Sequence, residues 1–258
     1  MIFRPFAIEK ISIALKASNN LLNMHRFLSN STENVPNKRI RTESPSELRA
    51  CSATGTDQLL SPILTPSILT SEDIKIAQTI SFDNWTSYSG IMYKFRSEVH
   101  AGNEVVAFDM DGTLIKTKSG KKFPVYEGDW MLWDPTVKTV LHQLHKDKKH
   151  LIIISNQNGI TVSKVSKQSI QAKVDKIIQV IGVPMDFICA IEDDRFRKPR
   201  TGMWEFVQQA RFPQLSSNTV KHMYVGDAAG RLKEGTRSKD FADTDYKFAL
   251  NIGQKVCI

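Results

Sequence analysis

Two aspartates, Asp109 and Asp111, follow the short apolar run 105–108 and directly precede Gly112 and Thr113. That run is too brief for a helix and rich in β-formers, so it reads as a buried strand. Side chains at i and i+2 of a strand share a side. The two carboxylates therefore converge if the backbone leaves the sheet there, and Gly112 supplies the freedom to turn. Two carboxylates so placed repel each other unless a cation lies between them, and hard oxygen ligands suit Mg2+. The carboxyl end of a parallel strand is also where open α/β sheets place their sites. Taken alone, Asp-x-Asp-Gly reads more simply as a strand ending in a polar turn.

Three further positions set polar groups beside apolar strands. Leu-Ile-Ile-Ile at 151–154 runs into Ser155-Asn156-Gln157, Tyr224-Val225 runs into Gly226-Asp227, and Arg197-Lys198-Pro199 lies between them. Each alone has a dull explanation: Ser155 as a helix cap, Lys198 as a solvated lysine, Asp227 as a turn residue. Together, in this order after Asp-Met-Asp-Gly-Thr-Leu at 109–114, they resemble the four motifs of the haloacid dehalogenase (HAD) superfamily of phosphatases. The resemblance implies an α/β, HAD-like (Rossmannoid) three-layer fold with a parallel central sheet. It also implies roles. Asp109 is the nucleophile that forms an aspartyl-phosphate. Asp111 protonates the leaving oxygen and then activates water. Mg2+ is held by Asp109, the backbone carbonyl of Asp111, and Asp227. Ser155 binds a phosphate oxygen, and Lys198 puts a point charge on the phosphate and keeps Asp109 ionised. Thr113, Asn156 and Gln157 are expected beside the substrate. The superfamily's second acid in the fourth motif is absent from Asp-Ala-Ala-Gly at 227–230; Asp240, Asp243 and Asp245 are the alternatives, with Asp245 preferred.

Only 46 residues separate Asp109 from Ser155, and 43 separate Ser155 from Lys198. Each interval already needs a helix and turns, so no large cap domain is expected. The stretch 116–124, Lys-Thr-Lys-Ser-Gly-Lys-Lys-Phe-Pro, suits a short basic hairpin at an open mouth. Such a mouth fits a phosphate at the end of a polyanion. That hairpin resembles a more particular family, the 3′-phosphatase domain of polynucleotide kinase/phosphatase. So do Gly128-Asp129-Trp130, Ser155-Asn156-Gln157-Asn158-Gly159-Ile160, Arg197-Lys198-Pro199-x-Thr201-Gly202-Met203-Trp204, the run 225–231 and Lys239-Asp240-Phe241. The resemblance spans roughly 85–253. It implies removal of 3′-phosphates from broken DNA ends in repair, with Lys118, Lys121, Lys122, Lys164 and Arg197 as strand-binding cations. Val162 stands where the family has an arginine near the DNA channel, and Gln-Lys-Val-Cys-Ile at 254–258 departs from the pattern and is expected to cut the last helix short. No Gly-x-x-x-x-Gly-Lys-Ser/Thr loop is present, so a phosphatase without a kinase is expected.

Elements must position these groups. Thr136–Lys146 and Lys167–Ile181 carry apolar residues at helical spacing, entered through Asp134-Pro135 and stopped at Gly182 respectively. Gly202–Ala210 reads as a third helix. Strands are expected at Leu151–Ile154, Phe187–Ile191 and His222–Val225, with a fifth at Phe248–Asn251, and a strand or packing arm within Trp85–Glu98. Alternating strands and helices imply a parallel sheet covered on both faces.

Composition bounds the remainder. The 258 residues carry a net charge of +8, of which +6 falls on residues 101–258. Residues 1–80 read as a disordered polar tail, rich in Ser, Thr, Asn and Pro, and 81–258 as the phosphatase domain. The tail offers a place for repair proteins to dock. Lys38, Arg39 and Arg41 read as a nuclear import signal or a solvated charge run, and the acid-poor first 32 residues leave a mitochondrial transit peptide as the alternative. Cys51, Cys189 and Cys257 have no CxxC spacing, which argues for a reducing compartment and against a zinc site. No apolar run approaches a membrane span. The expected function is a Mg-dependent polynucleotide 3′-phosphatase. A capless HAD phosphatase of a small metabolite and an inactive repair scaffold are the alternatives.

Overall fold

The computed structural model describes residues 67–99, 104–160, 165–215, 220–235 and 239–253, together with the backbone of 256–257. The main sheet has the order β1-β2-β7-β6-β3-β8-β9. Its strands are Thr86–Tyr88 (β1), Ile91–Lys94 (β2), Glu104–Phe108 (β3), His150–Asn156 (β6), Asp186–Ala190 (β7), Lys221–Val225 (β8) and Val256–Cys257 (β9). A separate pair, Ile115–Lys116 (β4) and Met131–Leu132 (β5), is antiparallel. The helices are Ser71–Gln78 (α1), Thr136–Lys146 (α2), Lys167–Ile181 (α3), Gly202–Arg211 (α4) and Thr244–Asn251 (α5). Strands β7, β6, β3, β8 and β9 run parallel, and β2 and β1 extend one edge antiparallel.

Period-two alternation divides the apolar side chains between two faces. Val106, Phe108, Leu151, Ile153, Phe187 and Cys189 pack with α2 and α3. Val105, Ala107, Ile152, Ile154, Ile188 and Ala190 pack with α1, α4 and α5. The result is a three-layer α/β fold with a mostly parallel central sheet. On α3, Ile170, Val174, Ile177, Ile178 and Ile181 form the buried stripe. Each contributes about 1.5–3 kcal/mol by burial, and Ile177→Ala would cost about 2–5 kcal/mol. Ser166 caps the start of α3 through Ser169 N, and Gly182 ends it at φ 82°. Asp134 serves the start of α2 by accepting from Thr136 N at 2.8 Å.

Two expectations are corrected. The segment 248–251 is the end of helix α5, not a strand; a three-residue apolar run has no period of its own, and burial of Phe248 and Ala249 suits either reading. Helix α5 ends at Asn251, ahead of the departing residues, and the backbone of 256–257 carries β9, which pairs with β8 at Tyr224 and Val225. The tail boundary near 80 is too late. Residues 67–80 contain α1, set by a capping box in which Thr70 Oγ1 accepts from Asp73 N and Asp73 accepts from Thr70 N. Residues 1–66 lie outside the described residues. The expected arm within 85–98 is the antiparallel hairpin β1–β2.

Between β3 and α2 the chain builds only β4, β5 and their loop, so no large cap covers the carboxyl ends of the strands. Because β3 lies between β6 and β8, the residues after β3 and β8 and those ending β6 meet at one edge.

Candidate active site

Lys198 is the hub of that edge. Its ammonium group is buried and donates to Asp109 Oδ1 (2.7 Å), Asp245 Oδ1 (2.8 Å), Tyr224 Oη (2.7 Å) and the Ile154 carbonyl (2.9 Å). Tyr224 Oη donates in turn to Asp245 Oδ1 at 2.8 Å, and Asp245 Oδ2 accepts from Ala228 N at 3.0 Å. Burial alone would lower Lys198; Asp109 and Asp245 beside it outweigh that and raise it, so it stays a cation. Burial pushes Asp109 well above the usual carboxylate range, Lys198 pulls it back, and Asp245 and Asp227 push it up again. Burial, then the Asp245 charge, lifts Asp227 to about 6. Burial and the same carboxylates push the Tyr224 phenol upward, so it remains a donor.

Carboxylate oxygens of Asp109, Asp227 and Asp245 all lie within 4.8 Å of one another. One ammonium therefore faces three carboxylates, a donor set of hard oxygens whose unbalanced charge a divalent ion such as Mg2+ fits. Asp245, the preferred of the three alternatives, joins this cluster. Asp240 is instead taken up by Arg231 (2.7 Å) and Asp243 by Lys247 (2.7 Å). Two glycines leave room for the carboxylates. A Cβ on Gly112, which sits at φ +91°, would lie 2.5 Å from Asp227 Oδ2, and one on Gly226 would lie 2.5 Å from Asp245 Cγ.

The Asp111 carboxylate lies outside the cluster. Its Oδ2 accepts from Gln157 Nε2 (2.8 Å) and its Oδ1 pairs with Lys173 Nζ (3.0 Å). Gln157 Nε2 also reaches Ser155 Oγ at 2.9 Å, so Gln157 links the two. Asn156, expected at the substrate, instead clamps the Lys198 backbone: its Oδ1 accepts from Lys198 N and its Nδ2 donates to Lys198 O. The Lys198–Pro199 peptide is cis. Thr113 Oγ1 and Arg197 Nη1 are buried without a hydrogen-bond partner among the described residues.

Of the expected strand-binding cations, Lys118, Lys121 and Lys122 are exposed on the β4–β5 loop. Buried Asp129 organises that loop by accepting from Ser119 N, Ser119 Oγ and Val125 N. Lys122 Nζ stands 3.4 Å from the centroid of the Phe241 ring, itself 79% exposed, as is Phe123 at 67%. Lys164 and Val162 lie outside the described residues. Sequence reasoning missed Tyr224, Lys173 and the Asp73–Arg195 pair. Lys173 had a signal: it flanks the apolar stripe of α3, three residues after Ile170.

A family model described as polynucleotide kinase 3 phosphatase matches residues 104–257. The chain is 43% identical over 150 residues to a bifunctional polynucleotide phosphatase/kinase of Schizosaccharomyces pombe, a match covering 58% of this chain and 35% of the relative. It is 35% identical over 171 residues to an uncharacterized 20.8 kDa protein of Autographa californica nuclear polyhedrosis virus, covering 65% of this chain and 90% of that one. A polynucleotide 3′-phosphatase of Arabidopsis thaliana is 28% identical over 187 residues, 66% of this chain and 26% of the relative. The chain thus spans about a third of the yeast relative's length and about a quarter of the plant relative's.

Proposed function

Since the chain belongs to the polynucleotide kinase 3 phosphatase family, we propose that this HAD-type phosphomonoester hydrolase removes 3′-phosphates from DNA strand-break ends. The observation that carries the reading is the buried Lys198 joined to Asp109 and Asp245, with Asp227 within reach of both carboxylates. Phosphoryl transfer asks for a positioned nucleophile and neutralised charge rather than for elaborate covalent chemistry. Asp109, held on Lys198, attacks phosphorus and forms an aspartyl-phosphate while the P–O3′ bond breaks. Asp111 gives the departing O3′ its proton and then takes one from the water that cleaves the aspartyl-phosphate. Ser155 and Thr113 hold phosphate oxygens. Asp109, Asp227 and Asp245 would hold Mg2+, which when bound supplies charge neutralisation at the phosphate.

The strand behind the phosphate is bound by Lys118, Lys121, Lys122 and Arg197, with Lys164 as a further candidate from the sequence and the exposed ring of Phe241 offering a stacking face. We place the protein in the nucleus, at DNA breaks, with contacts to repair proteins through residues 1–66. The test offers a 3′-phosphorylated nicked duplex and a panel of phosphorylated metabolites, each with Mg2+ and with EDTA. Release of phosphate from the duplex only with Mg2+ is expected. Turnover confined to a metabolite would overturn the DNA reading, and no turnover of either would leave a scaffold.

A further inference from the structure

Lys173 is a cation at the site that no motif names. It lies on the side of α3, its side chain is 9% exposed, and its ammonium sits 3.0 Å from Asp111 Oδ1. Asp111 itself is open, its side chain 49% exposed. Its other oxygen, Oδ2, accepts from Gln157 Nε2, which also touches Ser155. The two carboxylate oxygens thus have different partners, and those partners differ in kind. An ammonium group only donates, so the oxygen facing it cannot present a proton to it. A carboxamide donates through one atom and accepts through the other, so Gln157 can bind Oδ2 whether or not that oxygen carries a proton.

We infer that Lys173 is a positioning residue for Asp111, locking Oδ1 so that Oδ2, on the Ser155 side, is the oxygen that transfers protons. The inference rests on the phosphatase reading above. In the first step an Asp109 oxygen bonds to phosphorus, the P–O3′ electron pair goes to O3′, and the proton on Asp111 Oδ2 moves to O3′, leaving a 3′-hydroxyl and a carboxylate. In the second, water gives a proton to Asp111 Oδ2 as its oxygen bonds to phosphorus. The bond from phosphorus to Asp109 breaks, orthophosphate leaves, and Asp111 is again an acid. Without Lys173 only the Gln157 hydrogen bond is left to set the carboxylate's last torsion, and Oδ2 is held less firmly toward the leaving oxygen.

The experiment compares first-turnover rates at saturating substrate for Lys173→Met on a 3′-phosphorylated oligonucleotide and on nitrophenyl phosphate. Nitrophenolate leaves without a proton, whereas the 3′-alkoxide does not. A roughly hundredfold slower first turnover on the oligonucleotide, a nitrophenolate burst near the unaltered rate, and recovery in Lys173→Arg are expected. Equal losses on both substrates would make Lys173 a structural residue and overturn the inference. So would a raised oligonucleotide KM with the saturated rate intact, which would make it a strand-binding cation. If Lys173→Met does not fold by circular dichroism, Lys173→Gln carries the same comparison. Failure of the unaltered protein to release phosphate from either substrate would defeat the phosphatase reading itself, and this one with it.

Discussion

Asp73 and Arg195 form a two-pronged ion pair, Nε to Oδ2 at 2.9 Å and Nη2 to Oδ1 at 2.6 Å, with Asp73 fully buried. The pair ties α1 to the loop that carries Lys198 three residues later. Tyr88 Oη adds a further donor beside these and Thr70 N, and Glu205 on α4 holds the lead-in to α1 through Ser67 Oγ and Ile68 N. A chain beginning at residue 67 keeps α1 with Asp73, Ser67 and Ile68, and should therefore melt and turn over like the full chain. A chain beginning at 81 should melt lower and lose turnover, since it strands Arg195 without its partner. Equal melting temperatures for the two would show that α1 braces nothing.

The same pair predicts a pH dependence. Burial pushes the Asp73 carboxyl up, but hydrogen bonds from Arg195, Thr70 and Tyr88 outweigh it and hold Asp73 at about 2, against an ordinary 3.8. A depressed carboxylate contributes stability that is full above its unfolded value and lost as pH falls through its folded one. Asp73→Asn should cost about 2 kcal/mol at neutral pH. The gap between variant and parent should close between about pH 4 and pH 2, read by urea titration at each pH. A constant gap would remove the charge from the explanation.

Asp109→Asn should abolish turnover, because an amide cannot form the acyl-phosphate. Asp111→Asn, given nitrophenyl phosphate, should accumulate phosphoenzyme, since the first step there needs no proton and the second lacks its base. Acid quench and mass spectrometry read this directly; absence of any phosphorylated Asp109 would remove one of the two assigned roles.

A divalent ion that binds the folded state raises its melting temperature by mass action. Mg2+ should do so for the parent and not for Asp227→Asn, whose carboxylate is the one of the three that makes no direct ion pair with Lys198. An unchanged Mg2+ response in Asp227→Asn would place the ion elsewhere.

Strand contacts should appear as salt dependence. KM for an oligonucleotide should rise with salt by a log–log slope of roughly 0.7 per phosphate contact, and KM for nitrophenyl phosphate should barely move. Removing the charges of Lys121, Lys122 and Arg197 together should flatten the first slope. If salt acts alike on both substrates, a metabolite phosphatase becomes the better reading.

Much of the fold and the core of the site were legible in the sequence because they are local signals. The apolar run before Asp109, the helical stripe of α3 and the glycine at 182 each declare their element within a few residues. What stayed hidden depends on partners far along the chain. Asp73 looks like one more acidic residue in a polar tail until Arg195, 122 residues later, covers it. Asn156 belongs to a motif, yet its amide is spent on the backbone of Lys198, 42 residues on. Tyr224 reads as an apolar strand residue, and only the fold shows that its hydroxyl meets an ammonium and a carboxylate.

Lys198 lies 89 residues after Asp109 and 47 residues before Asp245. Synthesis on the ribosome delivers these groups in that order. A nascent chain therefore exposes the nucleophile and the lysine well before α5 exists to complete their burial. Until residue 245 has emerged, the ammonium lacks one of its two carboxylates and the tyrosine lacks its acceptor. The proposed phosphatase activity can thus appear only after α5 has docked, and its onset would time that docking during translation.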